Sequence, residues 1–95
     1  MAYGTIRKAF CFTGWVQGVG FRWRAKNAAN AFGATGWVRN NPDGSVSMEL
    51  QGTEAQIDGV IAAVERGTYV HIDHMRVKTI APAEDERGFT VKDDA

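Results

Sequence analysis

The chain has 95 residues, 44% of them hydrophobic, and a formal net charge of zero. That length fits one domain with a modest core, and no apolar stretch approaches the length of a membrane-crossing helix. A single cysteine, Cys11, excludes an internal disulfide and suits a reducing, cytoplasmic setting; the start, Met1 to Lys8, carries no secretory apolar core.

Neutrality conceals an uneven distribution. Residues 1–40 carry Arg7, Lys8, Arg22, Arg24, Lys26 and Arg39 and no acid, while all 11 acids lie from Asp43 onward. A basic half favours a small anion, and overall neutrality disfavours a nucleic-acid surface. Most of these cations are expected only to solvate the surface.

Ile6 to Thr13 reads as a strand, with Phe10 and Phe12 on one face and Ala9, Cys11 and Thr13 on the other. Phe21 to Phe32 reads as a helix whose stripe is Phe21, Ala25, Ala28, Ala29 and Phe32, stopped by Gly33. Between them runs Gly14-Trp15-Val16-Gln17-Gly18-Val19-Gly20. Glycines there let backbone N–H groups reach a ligand, and the helix start adds unpaired N–H groups and positive potential. Strand, glycine loop and helix start together make an anion cradle; a plain turn is the competing reading. Arg22 falls in the first helical turn, where a cation opposes the dipole but could grip a phosphate with two hydrogen bonds. The loop has neither a Gly-Lys-Ser/Thr ending nor a G-x-G-x-x-G pattern.

Thr35 to Asn40 and Ser45 to Gln51 read as two strands joined by the turn Asn41-Pro42-Asp43-Gly44. Thr53-Glu54-Ala55-Gln56 is a capping box opening a second helix, with Ile57, Val60, Ile61 and Val64 at helical spacing and Gly67 closing it. Val70 to Ile80 reads as a long strand, irregular near Asp73-His74, with Met75, Val77 and Thr79 sharing a face. Phe89-Thr90-Val91 adds a short edge strand after the acidic Glu84-Asp85-Glu86. The order βαββαβ defines an α+β, ferredoxin-like sandwich with two helices on one face of an antiparallel sheet, a single domain over residues 1–95. Such a fold hosts enzymes, regulators and RNA-binding modules, so the site must decide.

Asn40, at the end of the second strand, could project toward the glycine loop and hold a water; a turn residue is the alternative. His71 and His74 are three apart in a strand and hence on opposite faces, which argues against a metal site. Cys11 reads as a packing residue, and Trp15, Trp23 and Trp37 as packing or pocket rim.

Val16-Gln17-Gly18-Val19-Gly20-Phe21-Arg22 together with Gly36-Trp37-Val38-Arg39-Asn40-Asn41-Pro42-Asp43-Gly44-Ser45-Val46 closely resembles the two signatures of the acylphosphatase family, and Gln51-Gly52 fits as well. The resemblance covers nearly the whole chain. It implies hydrolysis of acyl phosphates without cofactor or metal, by a monomer whose competing ligands are phosphate and sulfate, with no nucleic acid or membrane partner. The roles it implies are phosphate binding by the backbone amides of Gln17, Gly18, Val19, Gly20 and Phe21 and by Arg22, and positioning of the attacking water by Asn40. Trp15 departs from the basic or polar residue common there. Two alternatives are a like domain of a larger carbamoyl-transferring maturation enzyme, which would continue into zinc-binding cysteines, and a non-enzymatic RNA-binding module, for which no RNP-type strand is present.

Overall fold

The computed structural model describes residues 4–95, leaving Met1 to Tyr3 of the chain start outside. Its elements are β1 (Ile6–Trp15), α1 (Phe21–Phe32), β2 (Thr35–Asn40), β3 (Val46–Gly52), α2 (Glu54–Glu65), β4 (His71–Ile80) and β5 (Phe89–Val91). The strands form one sheet in the order β4-β1-β3-β2-β5. The β1–β3, β1–β4 and β2–β3 pairs are antiparallel, as expected; β5 joins β2 in parallel and makes the sheet mixed. A three-residue strand carries no pattern from which its direction could be read.

Strand alternation decides which face is covered. Phe10, Phe12, Val38, Met48 and Leu50 are buried beneath Phe21, Ala25, Ala28 and Ala29 of α1 and Ile57, Val60, Ile61 and Val64 of α2. Thr53 accepts from the Gln56 amide while the Gln56 side chain accepts from the Thr53 amide, the reciprocal cap read from the sequence. Phe32 departs from the expected stripe: at the end of α1 it is half-exposed and lies against Gly59. Met75 and Val77 are also half-exposed, because β4 is an edge strand.

β1 runs two residues further than its expected end at Thr13, since pairing with β4 continues to Trp15↔His71. The irregularity lies where expected: Thr13 faces His74 and Gly14 faces Ile72, so Asp73 is the extra residue of a bulge. Any Cβ on Gly14 would sit 2.2 Å from the His71 carbonyl oxygen. The close approach therefore demands glycine.

Arg7 corrects the expectation of a merely solvated cation. It is buried, and its guanidinium donates to Glu49, Gln51 and both carboxylate oxygens of Glu86. Burial of a charge is tolerable only with such pairing. The result ties the 84–88 loop to the sheet face opposite the helices. No helix is long and apolar enough to cross a membrane among the described residues.

Candidate active site

Because β3 lies between β1 and β2 and runs opposite to both, the C-terminal ends of β1 and β2 meet at one edge of the sheet. The glycine loop leaves from the first end and Asn40 closes the second. Val16, Gly18, Gly20, Phe21, Arg22, Trp23, Lys26, Asn40 and Val91 line one cavity there, of about 440 Å³.

The loop is built as an amide cradle. Gly18 and Gly20 have φ of 71° and 77°, left-handed values that residues with a Cβ rarely adopt, and nothing would crowd a Cβ at either. Conformation, not space, therefore requires glycine. Among the described residues, no carbonyl accepts from the N–H groups of Gln17 to Phe21; the first helical bond runs from the Arg24 amide to the Gly20 oxygen, 2.9 Å. The helix cap at Gly20 has no side-chain partner and the first turn has no acid. Several N–H groups and the positive end of α1 thus remain available to an anion.

Gln17 contributes in a way not foreseen. Its side-chain amide donates to the carbonyl oxygens of Asn41 and Ser45, both at 2.8 Å, which anchors the loop to the β2–β3 hairpin. That hairpin is itself braced by side-chain hydrogen bonds. Asp43 accepts from the amide and hydroxyl of Ser45, and the Asn41 side chain donates to Ser45 and Ser47. The Ser45 hydroxyl holds the Asp43 carboxyl below the usual carboxylate range.

Arg22 lies on the cavity wall, half-exposed, with Nη1 donating to Asp94 Oδ1 at 2.9 Å. The contact arises because the chain after β5 continues alongside β2, the Lys92 amide donating to the Val38 oxygen and the Ala95 amide to the Asn40 oxygen. Such an exposed pair is worth roughly 0–1 kcal/mol, so it holds the guanidinium only weakly. Lys26, one turn beyond Arg22 on α1, adds a second cation to the wall; its i+4 spacing was the available signal.

Asn40 is 7% exposed, points to the helix-covered side with Val38, and its side-chain Oδ1 is buried with no hydrogen-bond partner among the described residues. A buried unpaired acceptor is costly in a folded protein. Asn40 lines the same cavity as Arg22 and the glycine loop.

The other sequence candidates lie apart. Cys11 is half-buried and Trp37 lies beneath the cations of Arg39 and Lys92, at 5.2 and 4.3 Å from its ring. His71 pairs with Asp73 at 3.0 Å, and among the described residues no three His, Cys, Asp or Glu side chains gather as a metal-ligating group. Trp23 lines the cradle cavity and Trp15 a neighbouring one.

A glycine loop of free amides, a wall arginine and a buried asparagine, set on a split βαβ sandwich, define a phosphate-handling domain. The acylphosphatase family model matches residues 8–91, and the chain belongs to the acylphosphatase family, enzymes that hydrolyse the carboxyl-phosphate bond of acyl phosphates. It is 44% identical over 81 residues to an acylphosphatase of Lactobacillus gasseri, covering 83% of this chain and 89% of that protein. The crystal structure of acylphosphatase from Bacillus subtilis superposes with a TM-score of 0.84 at 27% identity, over 92% of this chain and 98% of that one. Full-length HypF in its phosphate- and nucleotide-bound form matches at a TM-score of 0.83 and 26% identity, over 95% of this chain but 12% of HypF.

Proposed function

We propose that residues 1–95 act as one acylphosphatase domain in which the amides of Gln17, Gly18, Val19, Gly20 and Phe21, together with Arg22, hold the substrate phosphate while Asn40 positions the attacking water. The observation that carries this is Asn40 itself, which lines the same cavity as the cradle and Arg22 and whose buried Oδ1 has no hydrogen-bond partner among the described residues. A side-chain amide at that cavity can accept one hydrogen of a water and leave a lone pair on the water oxygen free for phosphorus.

The chemistry needs little more. In an acyl phosphate the leaving group is a carboxylate, so no strong general acid is required. The water oxygen forms a bond to phosphorus as the bond to the acyl oxygen breaks, and that oxygen departs with the electron pair. An amide cannot act as a base, so the water proton passes to a phosphate oxygen. Orientation and charge stabilisation are what the protein supplies, through Asn40 in the first role and the cradle with Arg22 in the second. The enzyme works without metal or organic cofactor, as a cytoplasmic monomer acting on small acyl phosphates and competitively occupied by phosphate or sulfate.

Phosphate release from acetyl phosphate tests the reading. Turnover is expected to be the same with and without a chelator, and inorganic phosphate to inhibit competitively. Loss of turnover in chelator, restored by a divalent ion, would contradict it.

A further inference from the structure

A second cavity opens beside the cradle, about 660 Å³ and lined by Trp15, Gly18, Val19, Thr68, Tyr69, His71 and Asp73. Two large aromatic side chains stand at it largely in solvent, Trp15 at 75% and Tyr69 at 73% exposure. Both are placed there by local structure. Trp15 is the last residue of β1, held opposite His71 beyond the Asp73 bulge. Tyr69 stands in the turn closed by the Val70 amide on the Gly67 oxygen, 3.1 Å.

Position relative to the reaction gives this cleft a meaning. In-line displacement places the nucleophile and the leaving group on opposite sides of phosphorus. β4 and β2 lie on opposite sides of β1 in the sheet, so the cleft at the β1–β4 end and Asn40 at the end of β2 flank the loop from opposite directions. Gly18 lines both cavities. The two cavities therefore meet at the loop.

We propose that the Trp15–Tyr69 cleft receives the acyl group of the substrate, and that this group is an uncharged aromatic or bulky apolar one. Two exposed rings offer stacking and apolar area to such a group, and the space exceeds the roughly 150 Å³ that suffices for benzene. A second carboxylate on the acyl group is disfavoured, because Asp73 stands on the wall and its partner His71 is already engaged at 3.0 Å. The inference rests on the reading of the loop as the phosphate cradle and adds the chemical class of the leaving group.

Comparing kcat/KM for phenylacetyl phosphate and acetyl phosphate tests it, since the two differ by one phenyl ring next to the same reacting group. The unsubstituted enzyme is expected to prefer phenylacetyl phosphate by about tenfold, the scale on which apolar pockets discriminate. Trp15→Ala and Tyr69→Ala, both at exposed positions, should each lower the ratio of the two kcat/KM values through a higher KM for phenylacetyl phosphate, and the double variant should bring the ratio near one. Thermal midpoints check that the variants fold. A ratio near one in the unsubstituted enzyme, or a ratio unchanged by both substitutions, overturns the acyl-site assignment. Failure to hydrolyse either substrate would instead overturn the cradle reading.

Discussion

At the scale of single residues, Arg22 carries the clearest chemical demand. A guanidinium can meet two phosphate oxygens at once; an ammonium offers a point charge without that geometry. Arg22→Lys is therefore expected to lower kcat/KM for acetyl phosphate by roughly ten- to a hundredfold, the equivalent of one strong charge-assisted interaction. Its thermal midpoint should barely change, because the side chain is half-exposed and its partner among the described residues, Asp94, is more exposed still. Near-normal kcat and KM in the lysine variant would remove the bidentate role. That Arg22 and Asn40 come together at one cavity was legible in the sequence, since each stands within a short local pattern: a glycine loop before a helix, and a strand end before Asn41-Pro42-Asp43-Gly44. Asp94 was not. It lies 72 residues from Arg22, and its contact depends on the path of the chain after β5.

At the scale of elements, the site depends on how the β1–α1 loop is held against the β2–β3 hairpin. The Gln17 side chain is the tie, with two hydrogen bonds across 24 and 28 residues. Gln17→Ala leaves its backbone amide in the cradle but deletes that tie. Two lost hydrogen bonds are worth about 1–3 kcal/mol. The expected outcome is a higher KM and weaker phosphate inhibition, measured together, with kcat less affected than either. A drop in kcat alone would show that the loop is held by other means. The sequence indicated Gln17 only as a supplier of a backbone amide, because a side chain that reaches across the fold leaves no periodic trace. Elements with strong local signals were read closely: α1 at its observed bounds, the capping box of α2, and the bulge near Asp73. The parallel direction of β5 and the extension of β1 to Trp15 arise from pairing between strands, which composition does not encode.

For the whole molecule, Arg7 joins β1, β3 and the acidic 84–88 loop into one unit on the open face of the sheet. The hydrogen bonds from Arg7 hold the Glu86 carboxyl below its ordinary range, against the opposing effect of burial. A depressed carboxylate contributes stability that is fully present above the ordinary glutamate value, about 4.3, and is lost as pH falls through the lowered one. The thermal midpoint of the protein should therefore exceed that of Glu86→Gln at neutral pH, and the gap should close as pH falls below about 4. A gap independent of pH would show that the pair adds nothing through ionisation. Arg7 looked like a surface cation because its partners lie 42 to 79 residues away.

The same architecture brings Asn40 to the cradle: β1 and β2 run in the same direction on either side of β3, so their ends share an edge. The proposed water-positioning role of Asn40 is central to the mechanism, and Asn40→Ala separates it from binding and from folding. With kcat, phosphate inhibition and thermal midpoint measured on that one variant, kcat should fall by at least about a hundredfold, the pattern of an interaction made in the transition state. The inhibition constant for phosphate should stay nearly unchanged. A near-normal kcat with a lowered thermal midpoint would make Asn40 a turn residue and contradict the mechanism.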